Sequence, residues 1–292
     1  MKKILRVFPH KNSYVPSDAL VRIGCQTLAL PQHDEIHISC VFTWDMPFCE
    51  YLKKQYEAVT DKPVFLGGPA YGSPSGGFIP GLYVKNGITF TSRGCNNNCK
   101  FCFVREREGK LVEIEIQPGN IIQDNNFLQC SKEHQQKVFD MLETQRRIEF
   151  RGGLQSSLVD EWFAERVTVL QRKHRLKCLW FACDTESALE PLEKAIYILR
   201  SSGFNVNPNS VQCYALSYGD PQQREEDEHR FKEIFSLGCM PRVQLFRKKE
   251  RIKTGYPKET EQWLRTWQRP AIIRAICKAR RQKNESLHAK RV

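Results

Sequence analysis

The sequence predicts an α/β protein built on a parallel sheet, and three observations carry that prediction. From Gly87 onward, six short apolar runs alternate with stretches of helical spacing. Two of the helical stretches stop at glycine, at Gly203 and Gly238. Strands separated by helices are joined by crossovers, the connection that parallel pairing needs.

Taken in order, the chain opens with a β-rich run, EIHISCVFTW (35–44), then a helical stretch, MPFCEYLKKQYEAV (46–59). The apolar run KPVFLGGPA (62–70) follows and ends in a Gly-Gly-Pro turn, which completes a small βαβ segment. YGSPSGGFIPG (71–81) concentrates Gly, Pro and Ser and reads as the boundary loop. The strand ITFTSRG (88–94) runs into a cysteine cluster, and NIIQDNN (120–126) is a short strand ending in polar residues. Helices are expected over 132–147, 157–173, 186–203 and 221–238, the last opening on proline as a first helical turn can. Between them lie the strands IEFRGG (148–153), KCLWFACD (177–184), SVQCYALSYGD (210–220) and PRVQLFR (241–247). Six such strands make either an open sheet or a curved partial barrel. Both architectures gather active residues at the carboxyl ends of strands. The cysteines, Asp124-Asn125-Asn126, Arg151-Gly152-Gly153, Asp184 and Ser217-Tyr218-Gly219 all fall at expected strand ends.

Composition narrows the class. The 292 residues suffice for a large core without disulfide staples. A hydrophobic fraction of 40% and an aromatic fraction of 11% argue against disorder. Nothing approaches the roughly 18 unbroken apolar residues of a membrane helix. Arg6 and Pro9 interrupt the apolar start, so no secretory signal is expected and the reducing cytoplasm is the expected compartment. The net charge of +12 lies wholly in Pro241–Val292, with 16 Lys and Arg against 4 Glu. Such an end suits nucleic acid or another polyanion as readily as a solvated helix. Trp263 and Trp267, one helical turn apart, are expected to anchor that end to the body. The expected divisions are 1–80, 81–250 and a basic helical extension at 251–292.

Cys95, Cys99 and Cys102 fall within eight positions. Three thiolates on one loop can hold three corners of a cubane iron–sulfur cluster and leave one iron open. A structural zinc site wants four closed ligands, and no His lies between Cys95 and Cys130. Disulfides are disfavoured by compartment. A zinc-stabilised nucleic-acid-binding protein and an iron–sulfur electron carrier remain as alternative readings.

The spacing C-x3-C-x2-C, with Phe101 directly before the last cysteine, resembles the signature of the radical S-adenosylmethionine enzymes. The resemblance takes in the preceding Ser-Arg-Gly and the βα units that follow, roughly residues 87–250, and is nearest to the methylthiotransferase and cobalamin-type lineages. It implies a partial (β/α)6 TIM-like barrel. Cys95, Cys99 and Cys102 would ligate a 4Fe–4S cluster whose open iron chelates S-adenosyl-L-methionine, with a flavodoxin or ferredoxin as reductant. Asp124, Asn125 and Asn126 would meet the methionyl amino group. Arg151 would face a carboxylate or an anionic substrate, with Gly152 allowing close backbone approach. Ser217 and Tyr218 would meet the ribose or methionine part, and Asp184 would face the substrate or cap the next helix. Val243, Leu245 and Phe246 would line the adenine site or the core. A nucleic acid or nucleotide substrate fits the basic carboxyl end.

The GGP at 67–69 resembles that of cobalamin-dependent relatives, but no D-x-H-x-x-G occurs, so no cobalamin is expected. Cys25, Cys40 and Cys49 lack the wide spacing of an auxiliary cluster and read as buried thiols. Cys178, Cys183, Cys213 and Cys239 read as core residues on or beside strands. The asparagine at 96 stands where many relatives carry proline and touches no ligand.

Overall fold

A computed structural model describes residues 2–72, 78–246 and 255–278. Part of the boundary loop (73–77) and two basic stretches (247–254 and 279–292) lie outside the described residues. The chain is mixed α/β with parallel sheets and divides into two compact units, 1–125 and 126–292.

In the first unit, β1 (Ile4–Phe8), β2 (Val21–Ile23), β3 (Glu35–Ser39) and β4 (Val64–Gly67) form a sheet in the order β2-β1-β3-β4. Every pairing in it is parallel. Helix α1 (Met46–Glu57) connects β3 to β4, as the βαβ reading expects. Its Cys49, Leu52 and Tyr56 lie at helical spacing and are fully buried against Leu5, Val7, Ile36 and Ile38. Central strand β1 was not foreseen, because Arg6 sits in the middle of it. That guanidinium is buried and held by the carbonyls of Gly81 (3.1 Å) and Leu82 (3.0 Å) and by Asp18 (2.5 Å). A buried cation is tolerated where hydrogen bonds and a counter-charge replace water.

Lower in the same unit, the expected strand 88–94 is broken in two. Strand β5 (Ile88–Thr89) pairs in parallel with β8 (Ile121–Ile122). Strand β6 (Ser92–Arg93) pairs antiparallel with β7 (Val112–Glu113), and the cysteines and the short helix α2 (Val104–Glu108) fill the loop between them.

The second unit holds four consecutive parallel strands, β9 (Ile148–Gln155), β10 (Leu176–Ala182), β11 (Val211–Ser217) and β12 (Met240–Leu245). Helices α3 (Lys132–Leu142), α4 (Glu161–Arg172), α5 (Leu189–Ser201) and α6 (Arg224–Ser236) alternate with them. The starts follow local chemistry. Ser131 accepts from the His134 N–H at 3.2 Å, and Asp160 accepts from the Phe163 N–H at 2.9 Å, so α4 begins later than its apolar run. Phe139 and Phe163 on the helices pack on Phe150 of β9, with ring centroids 5.8 and 5.9 Å away. Burying each such ring stabilises by roughly 1.5–3 kcal/mol. Helix α7 (Lys258–Trp267) docks on α6, as the tryptophan spacing predicts. Trp267 is buried 5.4 Å from the Phe231 ring, and the Trp263 N–H donates to Glu228 at 2.9 Å. Among the described residues no helix is long and apolar enough to cross a membrane.

Candidate active site

The cysteine loop is fixed at its base by two carboxylates. Asp124, directly beyond β8, accepts from the Thr91 N–H (2.6 Å), the Thr91 hydroxyl (2.5 Å) and the Ser92 hydroxyl (2.9 Å). It is buried, which pushes its carboxyl up, while the bonds from Thr91 and Ser92 pull against that shift. Both of its oxygens are therefore engaged in structure, where the resemblance implied an acceptor for the cofactor. Glu108, at the end of α2, accepts from the Gly94 N–H (3.2 Å) and the Asn125 amide (2.8 Å). Asn125 therefore meets protein too. Gly94 has φ of 74°, and a Cβ there would lie 2.1 Å from the Lys110 carbonyl oxygen, so only glycine fits this crossing.

Above that base, the Cys95 N–H donates to the Gly109 carbonyl (3.2 Å) and the Cys102 N–H to the Cys99 carbonyl (3.0 Å). Cys95 and Phe101 are half-buried, and Cys99 and Cys102 are exposed. Arg105 donates to the Cys95 carbonyl at 3.2 Å. Among the described residues no group of three His, Cys, Asp or Glu side chains is gathered as a metal would require. The loop thus brings the three thiols onto one short turn without converging them. The donor set itself, three cysteines of which two are exposed, is of the kind that holds an iron–sulfur cluster.

Cys40 and Cys49 lie elsewhere and are fully buried, Cys49 on α1 itself, whereas Cys25, expected as a buried thiol with them, is exposed. Cys178, Cys183, Cys213 and Cys239 are all buried, and burial pushes the Cys213 thiol well up.

In the second unit, the structure moves several expected residues. Arg151 stands within β9 rather than at its end. The pairing of β9 with β10 passes from Phe150–Leu179 to Leu154–Phe181, so the Arg151-Gly152-Gly153 segment bulges, with Gly153 at φ of 91°. The glycines shape the strand. Asn126 is buried and its amide donates to Gln155 at 2.8 Å, but its Oδ1 has no partner among the described residues. Ser217 is buried, its hydroxyl accepting from the Gly219 N–H at 3.0 Å, and Tyr218 packs 5.1 Å from Phe246. Val243 is buried, as a core role expects.

Asp184 follows β10 and leaves the helix start to Thr185, so it is no cap. Burial pushes its carboxyl up to about 6, against a bond from the Leu216 backbone and the charge of Arg230. Arg230 is itself buried, bonded to the Leu216 carbonyl (2.5 Å) and Asp227 (2.6 Å). A carboxyl that changes charge near neutrality can hold or release a proton under working conditions.

Sequence reasoning missed Glu108, Glu149, Trp180, Arg230 and Arg242. Glu108 carried no signal, since its partners come from two distant segments. The period-two placing of Glu149 with Arg151, Cys178 with Trp180 and Gln212 with Tyr214 was a usable signal for one face of the sheet.

No protein-family model matches the chain, and none of the curated proteins matches it.

Proposed function

We propose that this protein is a radical S-adenosylmethionine enzyme acting on a nucleotide or nucleic acid, with its βα units curved into a partial (β/α)6 barrel. The observation that carries this reading is the C-x3-C-x2-C loop, set on a base that two buried or half-buried carboxylates hold in place. Cys95, Cys99 and Cys102 would hold a 4Fe–4S cluster. When bound, the cluster and S-adenosyl-L-methionine, with one electron from a flavodoxin or ferredoxin, supply methionine and a 5′-deoxyadenosyl radical that takes hydrogen from the substrate.

The chain's own residues then divide the remaining work. Asn126 Oδ1, a buried acceptor without a partner among the described residues, suits the cofactor's ammonium better than Asp124 does. Arg105 holds the Cys95 carbonyl and so steadies the backbone that carries the first thiol. Asp184, its carboxyl pushed up to about 6 by burial, exchanges its proton closer to neutrality than an ordinary carboxyl and is the candidate catalytic acid or base. The surplus of basic residues after Pro241 supports an anionic substrate, and the reducing cytoplasm suits exposed thiols.

Anaerobic reconstitution with iron and sulfide tests the proposal. The expected result is a brown protein that forms 5′-deoxyadenosine under dithionite, with loss of that product in Cys99→Ala. Stoichiometric zinc with no product would overturn it in favour of a zinc-stabilised nucleic-acid binder. A brown protein that cycles electrons without forming the product would make it an electron carrier.

A further inference from the structure

The β9–β12 sheet has two unlike faces. Phe150 turns toward Phe139 and Phe163 of the helices, so its neighbours Glu149 and Arg151 turn the other way. On that second face Trp180 of β10 lies 4.9 Å from the Tyr214 ring of β11. Two guanidiniums lie over the same indole, Arg151 at 5.4 Å and Arg242 at 5.7 Å from its centroid. Trp180 is itself fixed, since its N–H donates to Cys178 Sγ at 3.1 Å.

Glu149 is shared between Arg151 (2.7 Å) and Lys177 (2.6 Å). Among the described residues the hydrogen-bond partner of Arg242 is a neutral amide, Gln212 Oε1 at 2.7 Å. Burial, Arg151 and Arg274 all disfavour the Arg242 charge, and the nearby Cys178 thiol is neutral at pH 7, pushed up to about 11 by burial and Glu149. Glu149 thus answers Arg151 and Lys177, while the Arg242 charge meets a neutral amide and two like charges. A half-buried guanidinium facing like charges is stabilised by a bound anion, and a planar fork matches phosphate oxygens two at a time. Two guanidiniums over one indole favour a dianion over a singly charged carboxylate.

We propose that Arg242 and Arg151, held against Trp180, bind a phosphate group of the substrate on the sheet face that turns away from the helices. The inference rests on the proposed function only in calling the ligand a substrate. The β9 bulge explains the placement: it sets Arg151 within the strand, beside the neighbouring indole, instead of at the strand end.

The full-length protein, without cluster or S-adenosyl-L-methionine, is titrated calorimetrically with inorganic phosphate, adenosine 5′-monophosphate, adenosine and acetate. Phosphate and the monophosphate are expected to bind, and adenosine and acetate to bind at least tenfold more weakly. Arg242→Gln is expected to lower phosphate affinity at least tenfold, Arg242→Lys less, and Lys194→Gln on exposed α5 not at all. Thermal melting of each variant reports folding, and the lysine variant is decisive if the glutamine variant does not fold. Phosphate affinity unchanged in the folded variants would place the anion on the basic carboxyl end and overturn the proposal. No phosphate binding, or acetate bound as tightly, would overturn it equally. Absence of 5′-deoxyadenosine in the reconstitution assay would leave this result standing, so the two proposals fail separately.

Discussion

Thr91 and Asp124 are joined twice, by the Thr91 N–H to Oδ1 at 2.6 Å and by its hydroxyl to Oδ2 at 2.5 Å. The pair locks the residue beyond β8 to the turn that launches the cysteine loop. Asp124→Asn replaces an acceptor with an amide donor facing two hydroxyls, and should lower stability by about 2–4 kcal/mol. Urea unfolding measures this. If the cost is below about 0.5 kcal/mol, the clamp is not structural.

Gly94→Ala should be costly for a different reason. Its φ of 74° and the 2.1 Å approach of a Cβ to the Lys110 carbonyl leave the chain no room. A loss of about 2 kcal/mol is expected, together with weaker iron uptake by the reconstituted loop. Wild-type melting and wild-type iron content would refute the geometry.

Asp184 makes stability depend on pH. Its folded value, about 6, lies above the ordinary 3.8, so the folded chain holds the proton more tightly than the unfolded one. This contribution is complete below about pH 4 and is lost as pH rises through about 6, for a total of about 3 kcal/mol. Asp184→Asn should flatten that part of the profile and abolish turnover if the residue is the catalytic acid or base. An unchanged profile would show that Asp184 titrates normally.

Trp267→Ala should cost about 3–5 kcal/mol, because the indole is buried against Phe231 and its N–H reaches Glu228 at 3.4 Å. Limited proteolysis should then cut within the carboxyl-terminal helices. Weaker binding to RNA in this variant, with stability unchanged, would instead make the tryptophan a stacking surface.

The helices and strands of the second unit were legible because each has a strong period, a cap or a glycine stop: α4 behind Asp160, α5 before Gly203, α6 before Gly238. The three thiols were legible because their spacing is local. Strand β1 was not, since Arg6 interrupts its apolar run and is tolerated only through partners that lie 12, 75 and 76 residues away. The strand 88–94 read as one piece because nothing local reveals that Thr91 leaves the sheet for Asp124. Arg151 was expected at a strand end because glycines usually close strands; here they make a bulge that the β10 pairing absorbs.

The sequence by itself determined the α/β class, the order of the βα units and the cysteine loop, all of which follow from periodicity and short-range spacing. Tertiary structure decided which polar residues are engaged and which remain available. It turned Asp124 into a clamp, left Asn126 Oδ1 as an acceptor without a partner among the described residues, raised Asp184 by burial and set Arg151 and Arg242 over one indole. Hydrogen bonding, desolvation and like-charge repulsion depend on neighbours in space, and those neighbours come from segments that the chain order keeps far apart.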